Sequence, residues 1–211
     1  MEHPGMSLRE QKKLAAREAL SWAAIRLATE RGLDQVRVEE IAAEVGVSPR
    51  TFNNYFSSKE EAICAIGVDR QRRIKARLLA RPPEEPLWQA VTAAVMEQYS
   101  EYGEPDREQV TRVRLMAGNP ALRGEYLKSH HEIERVLAEA ITERTGTTDE
   151  LHPKLMAATV CAATRVALDH WLHSGTEKPL TEILRGTLRE VSSGLPDFSI
   201  CVAHHRKMKT C

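Results

Sequence analysis

Apolar residues recur at helical spacing along most of this 211-residue chain, and a glycine or a proline follows most such segments. In the first segment they fall on one face of a helix: Leu20, Ala24, Leu27 and Ala28. Gly32 follows, and glycine is the residue that most readily takes positive φ at a helix end. No segment shows the convincing alternation of a half-buried strand. The pattern therefore predicts an all-α chain of about nine helices.

Composition and charge agree with a globular helical protein. Hydrophobic residues make up 42% of the chain and charged residues 28%, while aromatic residues are only 5%. The 30 basic and 30 acidic side chains cancel, but residues 1–81 carry 15 Lys and Arg against 11 Asp and Glu. A basic first third on an acidic remainder predicts a polyanionic partner for that third.

The cysteines and the hydropathy bear on the compartment. Four cysteines are present, none at C-x-x-C spacing, and no secretory segment opens the chain. This predicts reduced thiols in the cytoplasm. No apolar run approaches the ~18 residues that a membrane span needs, so no membrane partner is expected.

The most informative stretch is VEEIAAEVGVSPRTFNNYFSSK, residues 38–59. Two short helices meet at a three-residue turn that starts with Gly46, and Ser48 is the expected N-cap of the second helix, with Pro49 at its first position. Phe52 and Phe56 are expected in a small core. This spacing predicts a helix-turn-helix in an N-terminal three-helix DNA-binding domain over residues 8–57.

The second of these helices, predicted over residues 49–56, carries side chains suited to DNA. Its outward positions are Arg50, Thr51, Asn53, Asn54 and Tyr55, and the N-cap Ser48 is a predicted DNA contact as well. Arginine pairs with guanine and asparagine with adenine in the major groove, whereas hydroxyls bind phosphates. Lys59, in the first turn of the next helix, is expected to hold a phosphate. Four earlier cations are expected to follow the DNA backbone: Arg9, Lys12, Lys13 and Arg17.

An alternative is a helical protein-binding or ligand-binding module, or a metal or redox sensor, that does not act through DNA. Polar residues on a short helix are usually only solvated. An enzyme is not expected, because the chain has no G-x-S-x-G, H-E-x-x-H, P-loop or dinucleotide-binding pattern. No cofactor and no metal are expected either, since the histidine pairs lack a matching cluster of carboxylates or thiolates.

The segment GLDQVRVEEIAAEVGVSPRTFNNYFSSKEEAI resembles the N-terminal signature of TetR-family transcriptional regulators, and the likeness covers about residues 17–63. The resemblance implies nine helices and a homodimer that binds a palindromic operator. It also implies a C-terminal effector-binding and dimerisation domain, here residues 58–195, and repression that a small molecule relieves. Residues 196–211 are expected to form a loose tail.

Three positions depart from the family pattern. Arg37 stands where the N-cap of the second helix is usually Thr, which supplies a cation near the DNA backbone. Asn53 stands where the recognition helix usually carries an aromatic residue, and Ala28 replaces a Phe late in the first helix. These departures leave the operator sequence open.

The predicted effector residues are aromatic, apolar or charged side chains of the second half: Trp88, Tyr99, Tyr102, Met116, Tyr126, His130, Arg165 and Asp169. In the simpler interpretation the aromatic and apolar candidates and His130 are core residues. Arg165 and Asp169, at i, i+4, pair with each other unless Arg165 holds an anionic effector. RLMAGNPALRGEYL and ALDHWL resemble an actinobacterial branch of the family, which implies an acyl-coenzyme A thioester or another hydrophobic effector.

The helix predicted over residues 150–173 has small residues on one side, among them Ala158 and Ala162. Small side chains let helices approach closely, so this helix and the last one are candidates for a two-fold four-helix dimer interface. The alternative is that both helices only cover the core of one protomer.

Overall fold

A computed structural model describes residues 8–100 and 119–195 of the chain. Within these ranges it has no strand and eight α-helices: α1 Leu8–Arg31, α2 Val38–Glu44, α3 Pro49–Asn53, α4 Lys59–Ala80, α5 Leu87–Ser100, α6 Arg123–Thr145, α7 Leu151–His173 and α8 Leu180–Ser192. The all-α prediction is confirmed. None of these eight helices has an apolar stretch that could cross a bilayer. The helix predicted near residues 106–117 and the tail 196–211 lie outside the described residues.

Most helix ends follow the predicted signals. Ser48 and Ser58 accept hydrogen bonds from the backbone N–H groups of Thr51 and Glu61, as N-caps do. Two short 3₁₀ helices, Leu33–Gln35 and Pro120–Leu122, were not predicted, because three residues are too few to show a hydrophobic period.

Two hydrophobic cores share one helix. The N-terminal core is built from α1, α2, α3 and the first half of α4, whereas the C-terminal core is built from the second half of α4 and helices α5 to α8. In α4, Ile63 and Ile66 belong to the first core and Ile74 and Leu78 to the second. The boundary between the cores therefore lies inside a continuous helix.

The N-terminal core is completed by a residue from much later in the chain. Leu122, in the 3₁₀ helix before α6, is fully buried and belongs to this core. The side chain of Asn119 accepts a hydrogen bond from the Ala121 N–H at 2.9 Å and so fixes the start of this turn. The second half of the chain thus contacts the N-terminal core directly.

Helix α6 packs closely along α4. A Cβ atom at Gly67 would lie 2.8 Å from Cδ1 of Ile133, so the absence of a side chain at residue 67 brings the two helices together. At the other end, the Arg144 guanidinium donates to the carbonyl oxygens of Leu78 and Arg81 at 3.1 and 3.0 Å. The first contact joins the middle of α4 to the middle of α6, and the second joins their C-terminal ends.

Two leucines of α6 test this description of the core. Leu137 is fully buried, whereas 61% of Leu127 is exposed. We expect Leu137→Ala to lower the free energy of unfolding by about 2–5 kcal/mol, through lost contacts and a cavity. Leu127→Ala should change it by no more than ~0.5 kcal/mol. Chemical denaturation at one protein concentration measures both; equal losses would contradict the assignment of the core.

Candidate nucleic-acid interface

The turn between α2 and α3 has the geometry that the sequence predicts. Gly46 has φ of +73°, a conformation that L side chains rarely adopt. The Gly46 N–H donates to the Ala43 carbonyl at 3.0 Å, and the Val47 N–H donates to the Ala42 carbonyl at 2.9 Å. The chain therefore reverses within three residues and delivers Ser48 directly to the start of α3.

Two phenylalanines hold α3 against the protein. Phe52 and Phe56 are almost completely buried, and their ring centroids lie 5.5 Å apart. On the outer side Arg50, Asn53 and Asn54 are exposed, and within the described residues no hydrogen bond or ion pair engages their side chains. Their donors and acceptors are available to base edges, as the helix-turn-helix prediction requires.

The hydroxyl groups at the start of α3 bind each other. The Oγ of Ser48 accepts the Thr51 N–H at 3.1 Å and lies 2.9 Å from the Thr51 Oγ1. The predicted N-cap role of Ser48 is thus confirmed. Because these hydroxyls already share one hydrogen bond, they fix the helix start in the unbound protein.

Tyr55 differs from its predicted orientation. Helix α3 ends at Asn53, so Tyr55 lies in the turn that follows rather than on the outer face of a helix. The residue is half-buried and packs against the N-terminal core, with its ring centroid 6.4 Å from that of Phe56. The prediction that Tyr55 points away from the core is wrong, because the helix is shorter than expected.

Arg37 keeps an exposed side chain although it occupies the N-cap position of α2. The carboxylate of Glu40 accepts the backbone N–H of Arg37 at 2.9 Å and also binds Arg31 at 3.0 Å. Glu40 thus satisfies a backbone group at the start of α2. The Arg37 guanidinium stays at the surface, where a phosphate contact remains a prediction.

Lys59 is engaged inside the protein. Its Nζ donates to the carbonyl oxygens of Leu33 and Val36 at 2.7 and 2.9 Å. These carbonyls lie in and just after the first 3₁₀ helix. Two of the three ammonium hydrogens thus join the start of α4 to the segment before α2, and a phosphate contact through the third stays a prediction.

Arg17 is also engaged by the protein rather than extended toward DNA. Its Nε donates to Asp69 at 2.8 Å, its Nη1 donates to the Tyr55 carbonyl at 2.9 Å, and its guanidinium carbon lies 4.3 Å from the centroid of the Phe56 ring. The expectation that Arg17 follows the DNA backbone is therefore wrong. The other three cations in this group stay exposed: Arg9, Lys12 and Lys13.

The predicted effector residues are spread over several places. Trp88 lines a groove of about 640 Å³ between α5 and α8, together with Met96 and Leu188. Tyr99 is buried in the C-terminal core, where its hydroxyl accepts a hydrogen bond from Arg70 at 3.2 Å.

The remaining effector candidates lie on α6 and α7. Tyr126 and His130 stack with ring centroids 6.0 Å apart, and His130 lies 3.5 Å from Glu134. Arg165 and Asp169 form an ion pair at 3.9 Å on a largely exposed face, as the simpler interpretation of these residues expects. Two further candidates, Tyr102 and Met116, lie outside the described residues.

The thiol chemistry of the described cysteines is unfavourable for a sensor. Burial raises the pKa of the Cys64 thiol to about 11 and the pKa of the Cys161 thiol to about 12. Both thiols therefore stay protonated at neutral pH, whereas reactive cysteines have a lowered pKa. Across residues 8–100 and 119–195, no group of three or more His, Cys, Asp or Glu side chains has the arrangement of a metal site.

Replacing Lys59 by methionine tests whether this lysine acts inside the protein or on DNA. We expect Lys59→Met to lower the free energy of unfolding by about 2 kcal/mol, because two carbonyls lose a charged donor. The control is Lys75→Met in the same helix, whose Nζ forms a surface ion pair with Glu143 at 3.1 Å; it should cost at most ~1 kcal/mol. Lower DNA affinity with unchanged unfolding in Lys59→Met would contradict this role.

Comparison with known proteins places this architecture in one family. Residues 22–63 match the model "Bacterial regulatory proteins, tetR family", and residues 85–196 match "MftR C-terminal domain". The transcriptional regulator TcmR of Streptomyces glaucescens is 31% identical over 175 residues, which are 79% of this chain and 77% of that protein. MftR of Mycobacterium tuberculosis, whose name refers to mycofactocin biosynthesis, is 25% identical over 83% of this chain and 89% of its own.

A solved structure supports the same fold. The regulator FadR of Bacillus subtilis, crystallised with stearoyl-CoA, superposes with a TM-score of 0.56 at 19% identity, over 83% of this chain and 97% of that one. A family model covers more than half of the chain, and the exposed edge of α3 has the helix-turn-helix geometry. The chain belongs to the TetR family and is a DNA-binding transcriptional regulator.

Proposed function

We propose that this regulator is a homodimeric repressor in the cytoplasm that binds a palindromic operator and is released by a small hydrophobic effector. The observation that carries the proposal is the two-sided segment 49–56, which contains α3 and has buried phenylalanines on one side and unengaged polar side chains on the other. In a two-fold dimer, each protomer presents the polar side of this segment to one half-site of the operator. Half-sites then lie about 34–36 Å apart or at a multiple of that distance.

The exposed side chains of the helix-turn-helix divide between reading bases and holding the DNA backbone. Arg50 has the planar donor pair that matches guanine O6 and N7, and the amides of Asn53 and Asn54 match adenine N6 and N7. Arg37, at the start of α2, is a cation suited to a phosphate. We assign sequence discrimination to the first three residues and uniform affinity to Arg37.

The dimer surface is an apolar stripe on α7. Leu155 is 61% exposed and Val166 is 51% exposed, and the smaller Ala162 lies between them on the exposed side of the helix. On α8, a Cβ at Gly186 would meet no atom within 4 Å, so this position is open to a close approach by another helix. Apolar residues at these spacings support a symmetric four-helix interface.

The effector class is inferred from the C-terminal half. The groove between α5 and α8 combines the apolar surface of Trp88, Met96 and Leu188 with the cations Arg185 and Arg189. Its two carboxylates, Glu85 and Glu97, both pair with Arg81. Its volume of about 640 Å³ is in the usual range for small-molecule sites. An acyl-coenzyme A thioester has the matching chemistry, an apolar chain with phosphates, and stearoyl-CoA is the molecule in the FadR structure of Bacillus subtilis.

The proposed division of roles predicts different effects of two alanine variants. With DNA selected from a random pool by the wild-type protein, Asn53→Ala should lose about 1–3 kcal/mol of discrimination at one base pair. Arg37→Ala should weaken all sequences alike and lower the salt slope by about one. Fluorescence anisotropy with single-base-pair variants and a salt series measures both. Equal losses on every sequence for Asn53→Ala would contradict its base-reading role.

A charge on the stripe tests the dimer. We expect Val166→Glu to raise the dimer dissociation constant by about 100-fold, because an unpaired carboxylate would be buried between protomers. Leu127→Glu, at a similarly exposed leucine of α6, is the control and should leave the constant unchanged. Sedimentation equilibrium measures both variants. A wild-type dimer that Val166→Glu does not weaken would place the interface on another surface.

A further inference from the structure

Beyond base reading, we propose that Arg17 is a positioning residue, which fixes α3 relative to α4 and thereby sets the half-site spacing that the dimer accepts. This inference rests on the proposed function, since spacing has a meaning only for a dimer on DNA. It concerns one side chain of α1 and its acidic partner Asp69 in α4.

Arg17 contacts three groups at once: a carboxylate of α4, a backbone carbonyl just after α3, and an aromatic ring of the N-terminal core. Its Nε binds the Asp69 carboxylate of α4, its Nη1 binds the Tyr55 carbonyl just after α3, and its planar face covers the Phe56 ring. The side chains of Arg17 and Asp69 are only 17% and 12% exposed. This cluster, which we call the Arg17 clamp, is therefore shielded from water and from salt.

The geometry of arginine makes the clamp rigid. Its guanidinium has donors in a fixed planar fork, so one side chain can bind a carboxylate and a carbonyl in different directions while its face packs on an aromatic ring. A rotation of α3 about its axis moves the Tyr55 carbonyl and the Phe56 ring together. Such a rotation has to break the hydrogen bond, the ring contact or the Asp69 pair.

Asp69 extends the clamp toward the C-terminal half. Its Oδ2 binds Arg17, while its Oδ1 accepts a hydrogen bond from Arg72 at 3.0 Å. Arg72 also reaches Glu132 of α6 at 4.0 Å, and Glu132 binds Arg135 at 2.6 Å. Asp69 lies between the α4 residues of the two cores. A displacement of α4 therefore moves the carboxylate that binds Arg17 and, through Arg17, acts on the end of α3.

The half-site spacing reports the position of α3 in the dimer. Each added base pair moves one half-site by about 3.4 Å along the DNA and rotates it by about 35°. A dimer whose two α3 helices are held rigidly accepts one spacing. Without the clamp, each α3 and its flanking residues can adjust, and operators of neighbouring spacing become acceptable.

The experiment compares affinities for two DNA duplexes: the operator that the wild-type protein selects from a random pool, and the same operator with one base pair inserted at its centre. We expect the wild-type protein to bind the longer duplex at least about tenfold more weakly, comparable to one mismatched base pair. In Arg17→Gln and in Asp69→Asn, the dissociation constants for the two duplexes should differ by no more than about threefold; we call their quotient the spacing ratio. Thermal unfolding checks that each variant is folded.

The two variants change the charge in opposite directions, which separates positioning from simple electrostatics. Arg17→Gln removes a positive charge and Asp69→Asn removes a negative one, so a purely electrostatic effect would weaken DNA binding in the first and strengthen it in the second. Loss of the clamp predicts the same relaxed spacing in both. The control is Arg31→Gln, also in α1, whose ion pair with Glu40 does not reach α4; its spacing ratio should equal that of the wild type.

Three results would overturn the proposal: unchanged ratios in both variants, relaxation in Arg17→Gln alone, or equal relaxation in Arg31→Gln. Failure of the wild-type protein to enrich any sequence would instead contradict the proposed function. If the wild-type protein enriches an operator and both clamp variants keep its spacing preference, DNA binding stands and only the role of Arg17 is rejected.

Discussion

The burial of α4 in two hydrophobic cores is the constraint on which the rest of the structure depends. Ile63 and Ile66 place its first half in the N-terminal core, while Ile74 and Leu78 place its second half in the C-terminal core. Because the helix is continuous, neither core can shift relative to α4 without losing buried apolar area. A ligand that favours a different packing of the C-terminal core would therefore move α4 and, with it, the helices of the N-terminal core.

The basic side chains near the helix-turn-helix serve two different purposes. Lys59 and Arg17 bind carbonyls and a carboxylate of the protein, and they hold the segments around α3 in place. Arg37 and Arg50 stay exposed, where a duplex can reach them. The net positive charge of the first third thus overstates the number of cations available to DNA, because part of it maintains the shape of the surface that DNA meets.

The sequence predicts local features of this fold well and long-range partners poorly. The turn at Gly46 and the caps at Ser48 and Ser58 depend on neighbours within a few residues, and the structure confirms them. Arg17 and Asp69 are 52 positions apart, and no local pattern shows that they meet. The effector residues were the hardest to predict, since a core aromatic and a ligand-binding aromatic have the same spacing on a helix.

The buried position of Leu122 limits how such proteins can be recombined. A fragment that ends with α4 would retain every helix of the DNA-reading half and yet leave a vacancy the size of a leucine side chain in its core. Grafting this half onto an unrelated sensor would therefore require a new residue to fill that space.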